Sequence, residues 1–79
     1  GPTTSKATAI EHLCDSIGVK KEEVMACGDR LNDCTMIEYA GLGIAMGNAE
    51  EEVKKIADFI TLSNSEDGVA YAVKKFVLE

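Results

Sequence analysis

Gly28-Asp29-Arg30-Leu31-Asn32-Asp33 follows directly on the apolar run Val24-Met25-Ala26-Cys27, so that three oxygen-bearing side chains, Asp29, Asn32 and Asp33, meet at one junction. Carboxylate oxygens in such a place suit a hard cation such as Mg²⁺, which keeps coordination positions for water and for substrate phosphate. A plainer role is local: Asn32 or Asp33 caps the helix that follows. Capping accounts for one polar residue and leaves Asp29 without a task.

Those side chains need a strand and a helix to hold them. A short apolar run closed by glycine reads as a strand buried on both faces, here over 24–28. The stretch from Asn32 to Ala40 carries Met36, Ile37 and Ala40 at helical spacing and stops at Gly41, a natural residue for a helix end. Ligand sites in open α/β sheets gather at the carboxyl ends of strands, where Asp29 falls. Upstream, Ala7, Ile10, Leu13, Cys14 and Ile17 form one stripe of a helix from about Ser5 to Ile17, ended by Gly18. Lys20-Lys21-Glu22-Glu23 reads as a solvated turn.

Downstream, Leu42-Gly43-Ile44-Ala45-Met46 is a second short strand. The spacing of Gly41, Gly43 and Gly47 is not G-x-G-x-x-G, which rejects a dinucleotide loop. Asn48 with Glu51 matches a capping box, and Glu50-Glu51-Glu52 before Lys54-Lys55 complements a helix dipole. Asp58-Phe59-Ile60-Thr61-Leu62 is a third strand. Ser63 with Glu66 is another capping signature, followed by a helix whose stripe is Val69, Ala72, Val73, Phe76 and Val77. Alternating elements with short links predict an α/β fold: three short parallel strands and about four helices, in the order α-β-α-β-α-β-α.

Composition narrows the function. A chain of 79 residues makes one domain, 1–79. At that size only about 60% of the unfolded surface is buried, so the core is thin. A net charge of −6 argues against a nucleic-acid partner. There is no 18-residue apolar stretch to span a membrane, and no signal peptide is visible. Gly1-Pro2 reads as the scar of a cleaved expression tag. Cys14, Cys27 and Cys34 lack zinc or redox spacing; Cys14 and Cys27 read as small core residues, and the thiols suit a reducing, cytoplasmic setting. His12 lies off the first stripe and reads as solvated surface. The stretch from Asp29 lacks the alternating ligands and the glycine of an EF-hand, which excludes a Ca²⁺ loop of that kind.

Lys6 opens the first helix, where the positive end of the backbone dipole disfavours a cation by roughly a few tenths of a kcal/mol. Either Lys6 is solvated, or it faces an anion shared with the Asp29 site.

Taken in order, Ser5-Lys6, Gly28-Asp29-x-x-Asn32-Asp33, Gly41-Leu42-Gly43-Ile44-Ala45-Met46-Gly47-Asn48-Ala49 and Glu66-Asp67-Gly68-Val69 resemble the C-terminal part of a haloacid dehalogenase-superfamily phosphatase of the Cof type. The resemblance covers nearly the whole chain. It implies a Rossmann-like core and Mg²⁺-dependent hydrolysis of small phosphate esters, sugar phosphates or nucleotide-like compounds, through an aspartyl-phosphate. Lys6 then matches the catalytic lysine that balances charge on the phosphoryl group. Asp29 matches the aspartate that holds Mg²⁺, and Asn32 the contact to substrate phosphate. Asp33 matches a second acidic position that supports the metal site or pairs with the lysine.

The family's Asp-x-Asp-Gly nucleophile segment is missing from the sequence. The nearest string, Ser65-Glu66-Asp67-Gly68, has serine where the nucleophile belongs. The family's Ser/Thr motif and cap domain are also absent. The expectation is a chain that is inactive or nearly so alone, with a small phosphorylated metabolite as the substrate of the intact parent. In the family the strand matching 24–28 pairs with the strand carrying the nucleophile, so an unpaired edge and a homodimer through it are expected. The competing reading is a stand-alone interaction or scaffold module without catalysis.

Overall fold

Ser5 begins the first helix as its N-cap, with an extended backbone and an Oγ that accepts a hydrogen bond from the Thr8 amide at 3.1 Å. The computed structural model describes residues 5–79. Gly1-Pro2, expected as a tag scar, lies outside the described residues. From Ser5, α1 runs Lys6–Ile17 and ends at Gly18, whose φ of 76° is the left-handed conformation expected there. A 3-10 turn, Lys21–Glu23, leads into β1, Met25–Gly28.

Then come a second 3-10 turn, Leu31–Asp33, helix α2, Cys34–Tyr39, and strand β2, Leu42–Ala45. Helix α3 is Glu51–Ile56 and β3 is Phe59–Ile60. A third 3-10 turn, Asn64–Glu66, precedes α4, Gly68–Val73, which widens into a π-helical segment over Lys74–Leu78. The strands form one parallel sheet in the order β1-β2-β3, with Cys27 opposite Ile44 and Ile44 opposite Phe59. The expected α/β architecture is therefore present: three parallel strands interleaved with four helices, a partial Rossmann-like core.

Ile37, Ala45, Met46, Ala49 and Val53 form the centre of the core, with Cys27, Cys34, Met36, Ile56 and Ala57 packed around it. Phe59 and Phe76 meet edge to face with ring centroids 5.0 Å apart. The stripes of α1 and α4 are mostly uncovered. Cys14 and Ala72 are buried, but Leu13 is 58% exposed, Ile17 62% and Val77 61%. The described residues supply a second layer for only part of each helix.

Four local expectations need correction. The helix expected over Asn32–Ala40 starts later, because Asp33 folds back to close the 3-10 turn before α2. It ends at Ala40, which is extended, and Gly41 is not left-handed. Glycine is needed at Gly41 because a Cβ there would meet the Glu22 carbonyl at 2.6 Å. The cap of α3 is Glu50, with no side-chain cap bond, so Asn48 is not the N-cap. The third strand pairs over two residues rather than five, although its flanks still bond to β2: the Asp58 amide donates to Gly43 O at 2.7 Å and the Thr61 amide to Ala45 O at 2.9 Å. The Ser63–Glu66 capping box is present as expected.

Among the described residues no helix is long and apolar enough to cross a membrane. In so thin a core, Val53 is fully buried. Val53→Ala is expected to cost about 2 kcal/mol in urea unfolding through lost burial and residual cavity. An unchanged midpoint would remove Val53 from the core.

Candidate functional site

Asp33 organises the carboxyl end of β1. Its Oδ2 accepts the Asp29 amide at 3.0 Å and the Arg30 amide at 3.1 Å, closing the loop that leaves the strand. Its Oδ1 accepts the Lys6 ammonium and ties the start of α1 to a loop 27 residues away. Glycine at the strand end makes room for this: a Cβ on Gly28 would lie 2.5 Å from Asp33 Cβ and 2.8 Å from its Cγ. Asp33 is only 6% exposed. Burial pushes its carboxyl up, but the Lys6 ammonium and the two amide donors outweigh that, holding it below the ordinary aspartate value of 3.8. The cation at the unfavourable end of α1 thus has a carboxylate partner.

A cleft of about 330 Å³ opens at this strand end. Lys6, Asp29, Asp33 and Asn64 give it polar lining; Cys27, Met36, Met46 and Val69 give it apolar lining. Asp29 is half-buried, and its Oδ2 accepts the Asn48 side-chain amide at 3.4 Å. Its backbone carbonyl accepts the Glu50 amide at 3.3 Å. Asn48 Oδ1 accepts the Asn64 amide at 2.7 Å. Three strand-end loops, after β1, β2 and β3, therefore meet around Asp29.

Of the residues singled out from the sequence, Lys6, Asp29 and Asp33 share the cleft. Asn32 does not line it: the 3-10 turn leaves Asn32 exposed, beside Asp33 at the rim. Asn64 was not singled out. It lies just past β3, at the strand end where Asp29 sits on β1, and that position was a usable signal.

Of the two carboxylates lining the cleft, Asp29 is the one with an oxygen that accepts no hydrogen bond among the described residues. Both Asp33 oxygens already accept hydrogen bonds, Oδ2 from two amides. Among the described residues no group of three or more His, Cys, Asp or Glu side chains comes together to hold a metal ion. One carboxylate still fits Mg²⁺, which is commonly held by one or two carboxylates together with water and substrate phosphate. The cysteines are all free thiols. Burial pushes the Cys27 thiol up, and burial together with Glu38, Asp33, Glu50 and Glu52 does the same to Cys34, so neither is an activated nucleophile.

A family profile described as haloacid dehalogenase-like hydrolase matches residues 1–73. The 5-amino-6-(5-phospho-D-ribitylamino)uracil phosphatase of Bacillus subtilis is 53% identical over 74 residues, a match that takes in 94% of this chain and 30% of that protein. A phosphatase of the haloalkanoate superfamily from Bacteroides thetaiotaomicron superposes with a TM-score of 0.92 at 45% identity, over 99% of this chain and 29% of its own. A subclass IIB sugar phosphatase of the same superfamily superposes with a TM-score of 0.89 at 40% identity, over 94% of this chain and 28% of its own. The chain belongs to the haloacid dehalogenase-like hydrolase family. It spans about 30% of the length of the curated relative to which it is 53% identical.

Asp33→Asn tests the organisation of the loop. A carboxyl held low in the folded state adds stability that is complete above its unfolded value of about 3.9 and is lost as pH falls towards the folded value. The variant is expected to lose about 2 kcal/mol at neutral pH. It should also flatten the decline in stability between about pH 5 and pH 3, read by urea unfolding at stepped pH. A variant with the wild-type acid profile would show that Asp33 does not hold the loop.

Proposed function

We propose that this chain is the C-terminal part of a Cof-type phosphatase core and carries half of a site for small phosphate esters. The observation behind the reading is the convergence of Lys6, Asp29 and Asp33 on one cleft at the strand end, from α1 and from the loop after β1. Phosphoryl transfer depends mainly on positioning and charge neutralisation, and a carboxylate beside a fixed lysine provides for both. Lys6 offers its ammonium to the phosphoryl oxygens, and Asp33 keeps that side chain on station. Asp29 gives a carboxylate oxygen to Mg²⁺, and Asn32 donates to phosphate from the rim. When bound, Mg²⁺ supplies Lewis-acid stabilisation of charge on the phosphoryl oxygens.

The attacking carboxylate that would form the aspartyl-phosphate is not in this sequence. Asp67 of the Ser65-Glu66-Asp67-Gly68 string is exposed, at a left-handed turn with φ 57°. The chain alone is accordingly inactive or nearly so. The names of the relatives support a sugar-phosphate or nucleotide-like substrate. The acidic net charge disfavours nucleic acid, and the free cysteines suit the cytoplasm.

Without a neighbour on its outer side among the described residues, β1 is an edge that pairs with a second copy. The experiment is an assay with p-nitrophenyl phosphate and Mg²⁺, on the chain alone and mixed with the remaining segment of the Bacillus subtilis relative. Expected are no hydrolysis alone, a dimer by light scattering at high concentration, and activity on mixing that Lys6→Ala or Asp29→Asn abolishes. Hydrolysis by the chain alone would overturn the missing-nucleophile account, and a strict monomer would overturn the edge pairing. Mixtures that assemble without activity would favour an interaction module.

A further inference from the structure

Asn48 belongs to none of the roles assigned above, and its expected capping role is absent. Its carboxamide is instead spent on two other loops. One end accepts the Asn64 amide at 2.7 Å, and the other donates to Asp29 Oδ2 at 3.4 Å. A carboxamide suits this place because it both accepts and donates, linking an N–H group on one side to a carboxylate on the other. Among the described residues Asp29 Oδ1 accepts no hydrogen bond, while Asp29 itself lines the cleft. The contact engages Oδ2 and leaves Oδ1 as the uncommitted oxygen.

The backbone around Asn48 is already fastened. The Glu50 amide donates to Asp29 O at 3.3 Å, the Met46 amide to Gly28 O at 2.9 Å and the Gly47 amide to Leu62 O at 3.2 Å. The loops therefore stay together without the Asn48 side chain, and its contribution falls on the orientation of Asp29.

We propose that Asn48 is a positioning residue for Asp29: it couples the Asn64 loop to the Asp29 carboxylate and holds that carboxylate in one rotamer facing the cleft. The proposal rests on the reading of Asp29 as the metal carboxylate, but its primary test needs neither metal nor activity. Partners that orient metal ligands typically tune metal affinity by about 10- to 100-fold, which sets the expected scale.

The measurement is the set of three-bond couplings from the Asp29 backbone nitrogen and carbonyl carbon to its Cγ, which report the side-chain rotamer. The unmodified chain, Asn48→Ala and Asn48→Asp are compared. Asn48→Asp keeps an oxygen for the Asn64 amide and loses the donor to Asp29, so it separates loop fastening from carboxylate orientation. Expected are a single Asp29 rotamer in the unmodified chain and averaged couplings in both variants. Hydrogen exchange at the Asn64 amide should be slowed in the unmodified chain and in Asn48→Asp, and accelerated in Asn48→Ala. Identical Asp29 couplings in all three proteins, or averaging in the unmodified chain, would overturn the proposal. In the reassembled enzyme, Asn48→Ala should raise the Mg²⁺ concentration for half-maximal activity about tenfold. A reassembled wild type without activity would sink the functional reading and leave the couplings to decide the role of Asn48.

Discussion

The carboxylate of Asp33 is the constraint on which the site depends. It is buried, it ends the loop after β1 by accepting two amides, and it receives the ammonium of Lys6. A buried charge is costly unless it is paired and hydrogen-bonded, and here both conditions are met. One side chain thereby sets the position of Asp29, the start of α2 and the reach of Lys6. Gly28 is part of the same arrangement, since any side chain there would occupy the volume of Asp33.

That local order sits on an open scaffold. The three strands are short, and β1 and β3 both present an outer edge among the described residues. The two long apolar stripes, on α1 and on α4 with its extension, bury Cys14 and Ala72 while leaving Leu13, Ile17 and Val77 largely in solvent. The match to the Bacillus subtilis relative covers 94% of this chain and 30% of that protein. The polar half of the cleft is set by contacts within the chain, whereas much of the two apolar stripes is uncovered among the described residues.

Much of this was legible in the residues because the signals are local. Ser5 and Gly18 bound α1 as their types require, the three apolar runs became parallel strands, and the Ser63–Glu66 box closed its turn. For Lys6 at the positive end of a helix the residues left solvation and a facing anion both open, and the choice, with Asp33 as the anion 27 residues on, came only with the fold. Asn48 misled because its spacing to Glu51 matches a capping box, while the groups that engage it belong to loops distant in sequence. Asn64 escaped notice for the same reason. The rim position of Asn32 follows from a 3-10 turn in place of a regular helical start, which leaves its side chain exposed and which spacing alone does not reveal.

The central claim is that Lys6 and Asp29 converge on one cation-and-phosphate site. Titration of the isotope-labelled chain with Mg²⁺ and inorganic phosphate together, followed at every backbone amide, tests it most directly. Saturable shifts confined to Lys6, Asp29, Asp33 and their immediate neighbours are predicted. Shifts centred instead on the acidic run Glu50-Glu51-Glu52, or none at Asp29, would contradict it.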